Sequence, residues 1–400
     1  MNSNTERQKK ISFILFILYI SLAVFAINET LTRVALLIYI LGNVFLFQSI
    51  RLNKLFVGYF LFTCYFCISL LWAQGTTTVL YTLSYLVAIC SLTLFMPRQI
   101  ENMHDIYRYF YFYAGLMTLL VVILVIATPI RYWGTERLGA NIGVNANSIG
   151  MNLVFGSLIL LFIAKEQNKK ILYILAVMLA VVSLFTGSRK GFVALVVGIA
   201  LFYGIKNRGW KKIFFIVLGI GFAIALYKLI MENSALYEVL GKRVERFFIS
   251  IFTDDYVKDN SLTKREFFRE YAFDMFKQKP IFGWGAEGFR NQMIYIDYQQ
   301  KAFSHCNYTE ILANFGIVGF LLYYVPFVKM LFSYMKIVRN DKNSINVLFL
   351  IFCILMFILD YGCVSYYNPL TWLRYILVFS YLDIYKKENV KQQYYGGRTL

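Results

Sequence analysis

Charge is scarce in this chain, and so is anything that reads as a soluble domain. Only 16% of its 400 residues are charged, against 59% hydrophobic, and the mean hydropathy is +0.59. That balance is too apolar for a soluble protein of ordinary composition. There is no low-complexity segment and no repeat at a solenoid period. Histidine is limited to His104 and His305. Of the six cysteines, Cys64, Cys67, Cys90 and Cys353 lie inside apolar runs. Cys64-x-x-Cys67 imitates a redox motif, but without a βαβ context it reads as small apolar packing. Cys363 closes another run and Cys306 lies in a polar segment; a bridge between them is conceivable but not required.

Apolar runs do fill the chain. Stretches near the bilayer-spanning length of about 17–25 residues occur at 11–27, 31–49, 55–72, 79–96, 109–129, 148–164, 171–187, 190–205, 212–230, 309–333, 345–364 and 370–385. The chain therefore reads as an all-α integral membrane protein of about twelve transmembrane helices. Helices 1–9 fall within 1–230, helices 10–12 within 308–385, and 386–400 forms a polar tail expected to be mobile. The first run lacks a small-residue cleavage site, so its retention as an anchor is expected. One long polar segment, 231–307, interrupts the pattern.

Lysine and arginine set the orientation. Arg7, Lys9 and Lys10 precede the first run, and alternate connections carry Arg51 and Lys54, Arg98 and Arg108, Lys165, Lys169 and Lys170, then Lys206, Arg208, Lys211 and Lys212. The opposite short connections hold few cations: Arg33, Arg131, Arg137, Arg189 and Lys190. Both termini are expected in the cytoplasm and 231–307 outside. The net charge of +18 is then a topological signal facing anionic lipid, not a nucleic-acid footprint.

Within 231–307 one helix is predicted over 263–279. Thr263-Lys264-Arg265-Glu266 fits a capping box and Pro280 a stop. Phe267, Phe268, Tyr271, Ala272, Met275 and Phe276 form an apolar stripe, with Arg265 and Arg269 at its border. Gly283-Trp284-Gly285-Ala286-Glu287-Gly288 matches Gly-x-Gly-x-x-Gly, yet no strand precedes it, so tight turns are expected instead of a dinucleotide site. Segment 129–147 reads as capping and anchoring, with Asn147 or Ser148 capping the next run and Trp133 at the interface. Ser188, Arg189 and Gly191 join two runs with almost no loop between them. Arg189 there either snorkels to headgroups or makes bidentate phosphate contacts. His104 reads as a solvated surface residue. His305 stands outside beside an apolar run, structural or poised to take a proton near neutral pH. Metal binding is not expected, since no second external histidine and no carboxylate pair of ligand spacing accompany it. Glu310 is a helix-turn neighbour or an N-terminal helix charge.

Together these segments resemble the O-antigen ligase and polymerase superfamily of bacterial membrane glycosyltransferases. The signature is a histidine, a polar residue, nine residues, glycine, two residues and glycine. It is met by His305, Cys306, residues 307–315, Gly316 and Gly319. Cys306 departs from the usual Asn, Ser or Gln, with Asn307 next door as a substitute. Thr186-Gly187-Ser188-Arg189 looks like the family's Ser-Arg-Gly segment with Lys190 inserted. Arg265 followed by Pro280-Ile281-Phe282-Gly283-Trp284-Gly285 looks like its Arg…Pro-x-x-Gly-x-Gly stretch, and 141–147 like an asparagine-rich approach to a span.

The resemblance implies a helical membrane glycosyltransferase of GT-C-like architecture with one large extracytoplasmic loop, in the cytoplasmic membrane. It implies catalysis by His305 and pyrophosphate binding by Arg189 and Arg265, with Arg269 in reserve. Ser188, Asn307, Glu310, Gly316 and Gly319 would support them, without metal or cofactor. The donor would be an oligosaccharide on undecaprenyl pyrophosphate, and contacts with other polysaccharide-assembly proteins are a further expectation. A polymerase, adding glycan to another lipid-linked repeat unit, is favoured over a ligase delivering finished glycan to lipid A-core or protein. A flippase for the same lipid would show internal repeats and mid-membrane charges, and neither is clear here.

Overall fold

The computed structural model describes residues 3–25, 28–47, 52–75, 79–129, 132–133, 137–139, 145–206, 217, 221, 224–242, 245, 260–296 and 302–396. Its longer elements are α1 (Ser3–Phe25), α2 (Glu29–Leu46), α3 (Lys54–Ile68), α4 (Val79–Gln99), α5 (Met103–Ala127), α6 (Ala146–Gln167), α7 (Lys170–Phe185), α8 (Arg189–Lys206), α9 (Asn260–Gln278), α10 (Gly288–Ile296), α11 (Asn307–Asn340), α12 (Ser344–Asp360) and α13 (Pro369–Gly396). By length and composition seven of them, α1–α6 and α11, are able to cross a membrane. α7 and α12 are shorter apolar helices, and α8 carries Arg189, Lys190 and Lys206 within its 18 residues. The apolar run at 212–230 lies largely outside the described residues.

Several boundaries differ from expectation. α9 begins at Asn260, so Thr263 lies inside its first turn instead of capping it. Its buried face is also narrower than the stripe. Phe268, Ala272 and Met275 pack with Phe289 and Met293 of α10 and Ala313 of α11, while Phe267 is 46% exposed. α10 went unforeseen because a nine-residue helix is too short to show periodicity. The cap of α6 is Asn145, whose side chain accepts from the Asn147 amide at 3.0 Å, and neither Asn147 nor Ser148 plays that part. The tail also differs, since α13 continues as helix to Gly396.

The chain divides into two compact units. The first comprises Met1–Tyr109, Arg265–Phe332 and Met356–Leu400; the second comprises Phe110–Lys264 and Ser333–Leu355. In the first, α1 packs on α2 and α4, and α4 on α3 and α13. A dense aromatic core joins Phe62, Phe315, Tyr323 and Trp372. In the second, α6 packs on α7 and α8, with Phe155 edge-on to Phe352 of α12.

The main irregularity of the first unit is a break inside α11. Gly316 takes φ 61° and ψ −163°, outside helical values. A continuous helix would bond the amides of Ile317 and Val318 to the carbonyls of Ala313 and Asn314. Instead Ile317 donates to Pro280 at 2.8 Å and Val318 to Ile281 at 3.3 Å. The released carbonyls of Ala313 and Asn314 accept from Trp284 at 2.9 Å and Gly285 at 2.7 Å. The loop 280–285 thus takes both missing helical bonds onto itself, and all four of these backbone groups are paired. Glycine is required on both sides. Gly283 and Gly285 have φ of +68° and +87°, and a Cβ on Gly283 would lie 2.5 Å from the Asn314 carbonyl, while one on Gly316 would strike the Ile281 carbonyl.

Gly316→Ala should therefore lower the thermal unfolding midpoint of the detergent-purified protein, by a loss on the order of 2 kcal/mol. Gly115 of α5 provides the comparison, because a Cβ there would meet nothing within 4 Å. Gly115→Ala should be neutral or stabilising by up to about 1 kcal/mol. Equal midpoints for the two variants would show that the break is not sterically required.

Candidate functional site

In the first unit His305 lies between the described end of the polar segment and α11. It is half-buried and takes φ +58°, a left-handed conformation uncommon for a non-glycine residue. Its neighbours enforce that shape. The Ser304 amide donates to Glu310 Oε2 at 2.7 Å. The Ser304 hydroxyl donates to the Cys306 carbonyl at 2.8 Å and accepts from the Cys306 amide at 3.3 Å. The same carbonyl accepts the Glu310 amide at 3.0 Å, starting α11. The residues on either side of the histidine are thus tied together and to the first turn of α11.

The imidazole stacks on Phe268 of α9, with ring centroids 6.2 Å apart. Phe268 is flanked on α9 by Arg265 and Arg269, so the stack fixes the two-arginine helix and the histidine to one neighbourhood. Arg269 lies 5.0 Å over the ring of Tyr361, just beyond α12. Cation–π contact of this kind holds a guanidinium without using its N–H donors.

Asn307 and Glu310 are both engaged in hydrogen bonds within the protein. Asn307 is fully buried, and its amide is spoken for on both ends. Oδ1 accepts from the Ser365 and Tyr366 amides at 2.9 and 3.1 Å. Nδ2 donates to the Tyr324 hydroxyl at 2.8 Å and to Asp360 Oδ2 at 3.3 Å. Asp360 also accepts from Tyr324 at 2.9 Å and Ser365 at 2.5 Å. This network clamps the start of α11 to the end of α12 and the connection to α13. Glu310 is 2% exposed with the Ser304 amide on its carboxyl, which suits it to hold the histidine's loop. Cys306 is buried at 1%; it forms no disulfide with Cys363, whose thiol donates to the Leu359 carbonyl at 3.0 Å.

Gly319 permits close approach of α3, since Tyr65 Cε1 would be 3.2 Å from its Cβ. A charged cluster that sequence reasoning missed lies behind Phe303. Glu287, 2% exposed and at φ +58°, accepts from Thr82 of α4 at 2.6 Å and pairs with Arg290 at 3.0 Å. The only signal available was the i, i+3 spacing of Glu287 and Arg290, hidden in a run read for its glycines.

Arg189 and Ser188 belong to the second unit. Ser188 caps α8, its hydroxyl accepting the Gly191 amide at 3.1 Å, and Arg189 is the first residue of that helix. The turn before it is fastened by Arg137, which donates from Nε to the Thr186 carbonyl at 2.9 Å and from Nη2 to Asn147 Oδ1 at 2.8 Å. Gly150 of α6 lets the turn sit close, because a Cβ there would lie 2.5 Å from Thr186 Oγ1. Trp133 packs on Phe185 with centroids 5.0 Å apart. Trp133 and Arg137 are thus more than anchors, for they hold the arginine turn; 130–131, 134–136 and 140–144 lie outside the described residues.

A polytopic helical membrane protein with a half-buried histidine beside a helical two-arginine segment is the class these features define. Residues 174–324 match the family model described as O-antigen ligase, which supports the resemblance to the O-antigen ligase and polymerase superfamily. The match spans Arg189, Arg265, Arg269, His305, Gly316 and Gly319. No curated protein matches the chain.

The Asn307–Asp360 pair gives a direct test of the clamp. Asn307→Ala should cost about 2–3 kcal/mol, from stranded buried amides and an uncompensated Asp360. Asn307→Asp should be no better, as it sets a second carboxyl against Asp360. The exchange Asn307→Asp with Asp360→Asn should recover part of the unfolding midpoint, whereas independent roles would make the two losses add.

Proposed function

We propose that this protein is a surface-polysaccharide polymerase that transfers glycan from an undecaprenyl-pyrophosphate donor to a lipid-linked repeat-unit acceptor. In this reading it has about twelve spans, cytoplasmic termini and 231–307 on the external face of the cytoplasmic membrane. The observation that carries it is His305, held in a left-handed turn by Ser304 and Glu310 and stacked on the helix that bears Arg265 and Arg269.

The chemistry follows from those groups. An imidazole nitrogen of His305 takes the proton of the acceptor hydroxyl, and its oxygen forms the new bond to the anomeric carbon. The bond from that carbon to the phosphate oxygen breaks, and its electron pair leaves on undecaprenyl pyrophosphate. Guanidinium groups from Arg265 and Arg269 match the leaving group's paired oxygens and stabilise its growing charge in a poorly hydrated site; for Arg189 pyrophosphate binding is proposed from its sequence segment alone. Glu310 acts through Ser304 as a positioning residue, not as the base. The family's own description favours a ligase, which uses the same groups on a different acceptor. The wealth of aromatic side chains, 31 Tyr and 38 Phe, suits two glycan substrates and inclines the reading to polymerase.

The test is purified enzyme with lipid-linked glycan, chelator present, and product length resolved on a gel. A ladder identifies the polymerase, and a product formed only with lipid A-core or protein identifies the ligase. His305→Ala should reduce transfer by about 10²–10⁴-fold. Glu310→Gln, which keeps an acceptor oxygen for Ser304, should retain most activity; a loss as large as that of His305→Ala would make Glu310 the base. Arg189→Lys should be impaired, since an ammonium loses the bidentate geometry, and full activity there would reduce Arg189 to a headgroup contact. Inactivation by the chelator would overturn metal independence. Labelling that places Lys258, outside the described residues, in the cytoplasm would reverse the proposed topology.

A further inference from the structure

A line of aromatic rings in the first unit ends beside the histidine and has no part in the chemistry above. Tyr81 and Tyr85 stand one turn apart at the start of α4, with centroids 5.0 Å apart. Tyr85 continues to Tyr367 at 6.3 Å, and Tyr367 to Phe303 at 5.9 Å. The Arg290 guanidinium then lies 4.2 Å over the Phe303 ring, and Phe303 is two residues from His305. Tyr81 is 36% exposed, and Tyr85, Tyr367, Phe303 and Arg290 are each half-buried, so the line is neither sealed in the core nor isolated on the surface.

Polar groups accompany the rings. The Tyr85 hydroxyl donates to that of Tyr81 at 3.3 Å. Burial raises the Tyr367 phenol well above its ordinary pKa, with Glu310 and Glu287 adding to the effect, so it stays a donor. Arg290 gives one N–H to Glu287 at 3.0 Å, while its buried Nε has no partner among the described residues. Glu287 is fixed from its other oxygen by Thr82, and Glu310 lies within the field of both Glu287 and Arg290.

We infer that this line, Tyr81–Tyr85–Tyr367–Phe303 with Arg290 at its end, is a binding track for the sugar residues of the acceptor glycan. This rests on the glycosyl-transfer reading above. Rings in sequence offer apolar faces to the C–H faces of successive sugars, and a few fixed polar groups set the orientation. The charge favours a polyhydroxyl ligand over a phosphate. Arg290 is already paired, and an entering anion would face Glu287 and Glu310, whereas sugar hydroxyls can accept from Arg290 and donate to the carboxyls. An ordinary interfacial belt sets Trp and Tyr at headgroup level. These rings instead contact one another and lead to a mostly buried ion pair.

The experiment uses the full-length purified protein and two readouts. Steady-state transfer with lipid-linked glycan is measured for Tyr81→Ala, Tyr85→Ala, Tyr367→Phe and Arg290→Gln. Saturation-transfer NMR is recorded with oligosaccharides released by mild acid from the host's own surface polysaccharide, with glycan-free undecaprenyl pyrophosphate as competitor. Tyr81→Ala and Tyr85→Ala should raise the acceptor KM about tenfold, the loss of one good contact, without a matching rise in donor KM. Fragment binding should weaken in parallel and persist against the competitor. Tyr81 is exposed enough that its variant is safe for folding even if Arg290→Gln is not. Unchanged acceptor KM in an active enzyme would overturn the track and leave the proposed function standing. Fragment binding that depends on Tyr81 and Tyr85 in a protein with no transferase activity would keep the track and remove the function. Displacement of the fragments by the glycan-free lipid would reassign the rings to the donor and overturn the acceptor role.

Discussion

Two helical hydrogen bonds are missing from α11, and the candidate site is built around the place where they are missing. The amides of Ile317 and Val318 and the carbonyls of Ala313 and Asn314 would satisfy each other in a regular helix. Here each is satisfied by loop 280–285 instead. The exchange makes the loop and the helix one object: neither can move without breaking four backbone hydrogen bonds, at about 0.5–1.5 kcal/mol for each. It also explains the glycines, which stand where two backbones meet too closely for a Cβ. Because α9 runs directly into this loop and α10 out of it, both helices inherit a fixed position against α11. The Phe268–His305 stack is a consequence of that docking.

The polar residues around the histidine are mostly turned inward. Asn307, Asp360, Tyr324 and Ser365 bond to one another and to backbone, and Glu310 holds Ser304. Such networks are stabilising only when nearly every member is satisfied, and this one fixes where the first turn of α11 begins. His305 sits one step outside it, in a conformation that a non-glycine residue adopts at a cost of roughly 1–2 kcal/mol. A residue kept in that state by surrounding bonds has little freedom to reorient. That is the condition a general base needs, since transfer requires hydrogen-bond reach to the acceptor hydroxyl.

The apolar helices were legible because burial in lipid leaves long unbroken hydrophobic runs. Eleven of the apolar runs fall on described helices. The histidine signature was legible as spacing, but spacing does not say why Gly316 is glycine; that needs Pro280 and Ile281 in the same view, about 35 residues away in sequence. The capping box at Thr263 misled because Asn260 and Ser261 are also capping residue types, and a local pattern cannot choose between them. Asp360 was invisible for a different reason: one acid at the end of an apolar run looks like an interfacial charge, and its partners come from α11 and from the connection to α13. Arg137 was lost among cations counted for topology, and Arg290 stood just after a run read for its glycines, although each holds a loop in place.

Under the proposed polymerase function, acceptor choice would follow from the same architecture. A polymerase meets one kind of glycan twice, once on the donor and once on the acceptor, so charge alone cannot tell the two apart. What differs is which end is presented: the donor offers an anomeric carbon bonded to pyrophosphate, and the acceptor a hydroxyl at the far end of its chain. In that reading guanidinium groups would recognise the first by its phosphate oxygens. Recognition of the second must come from neutral surfaces that run toward the base. A row of rings ending at Phe303, two residues from His305, with a paired arginine that prefers hydroxyls to anions, has that character. The two substrates would then be separated by the chemistry of their contact surfaces, without requiring different sugars.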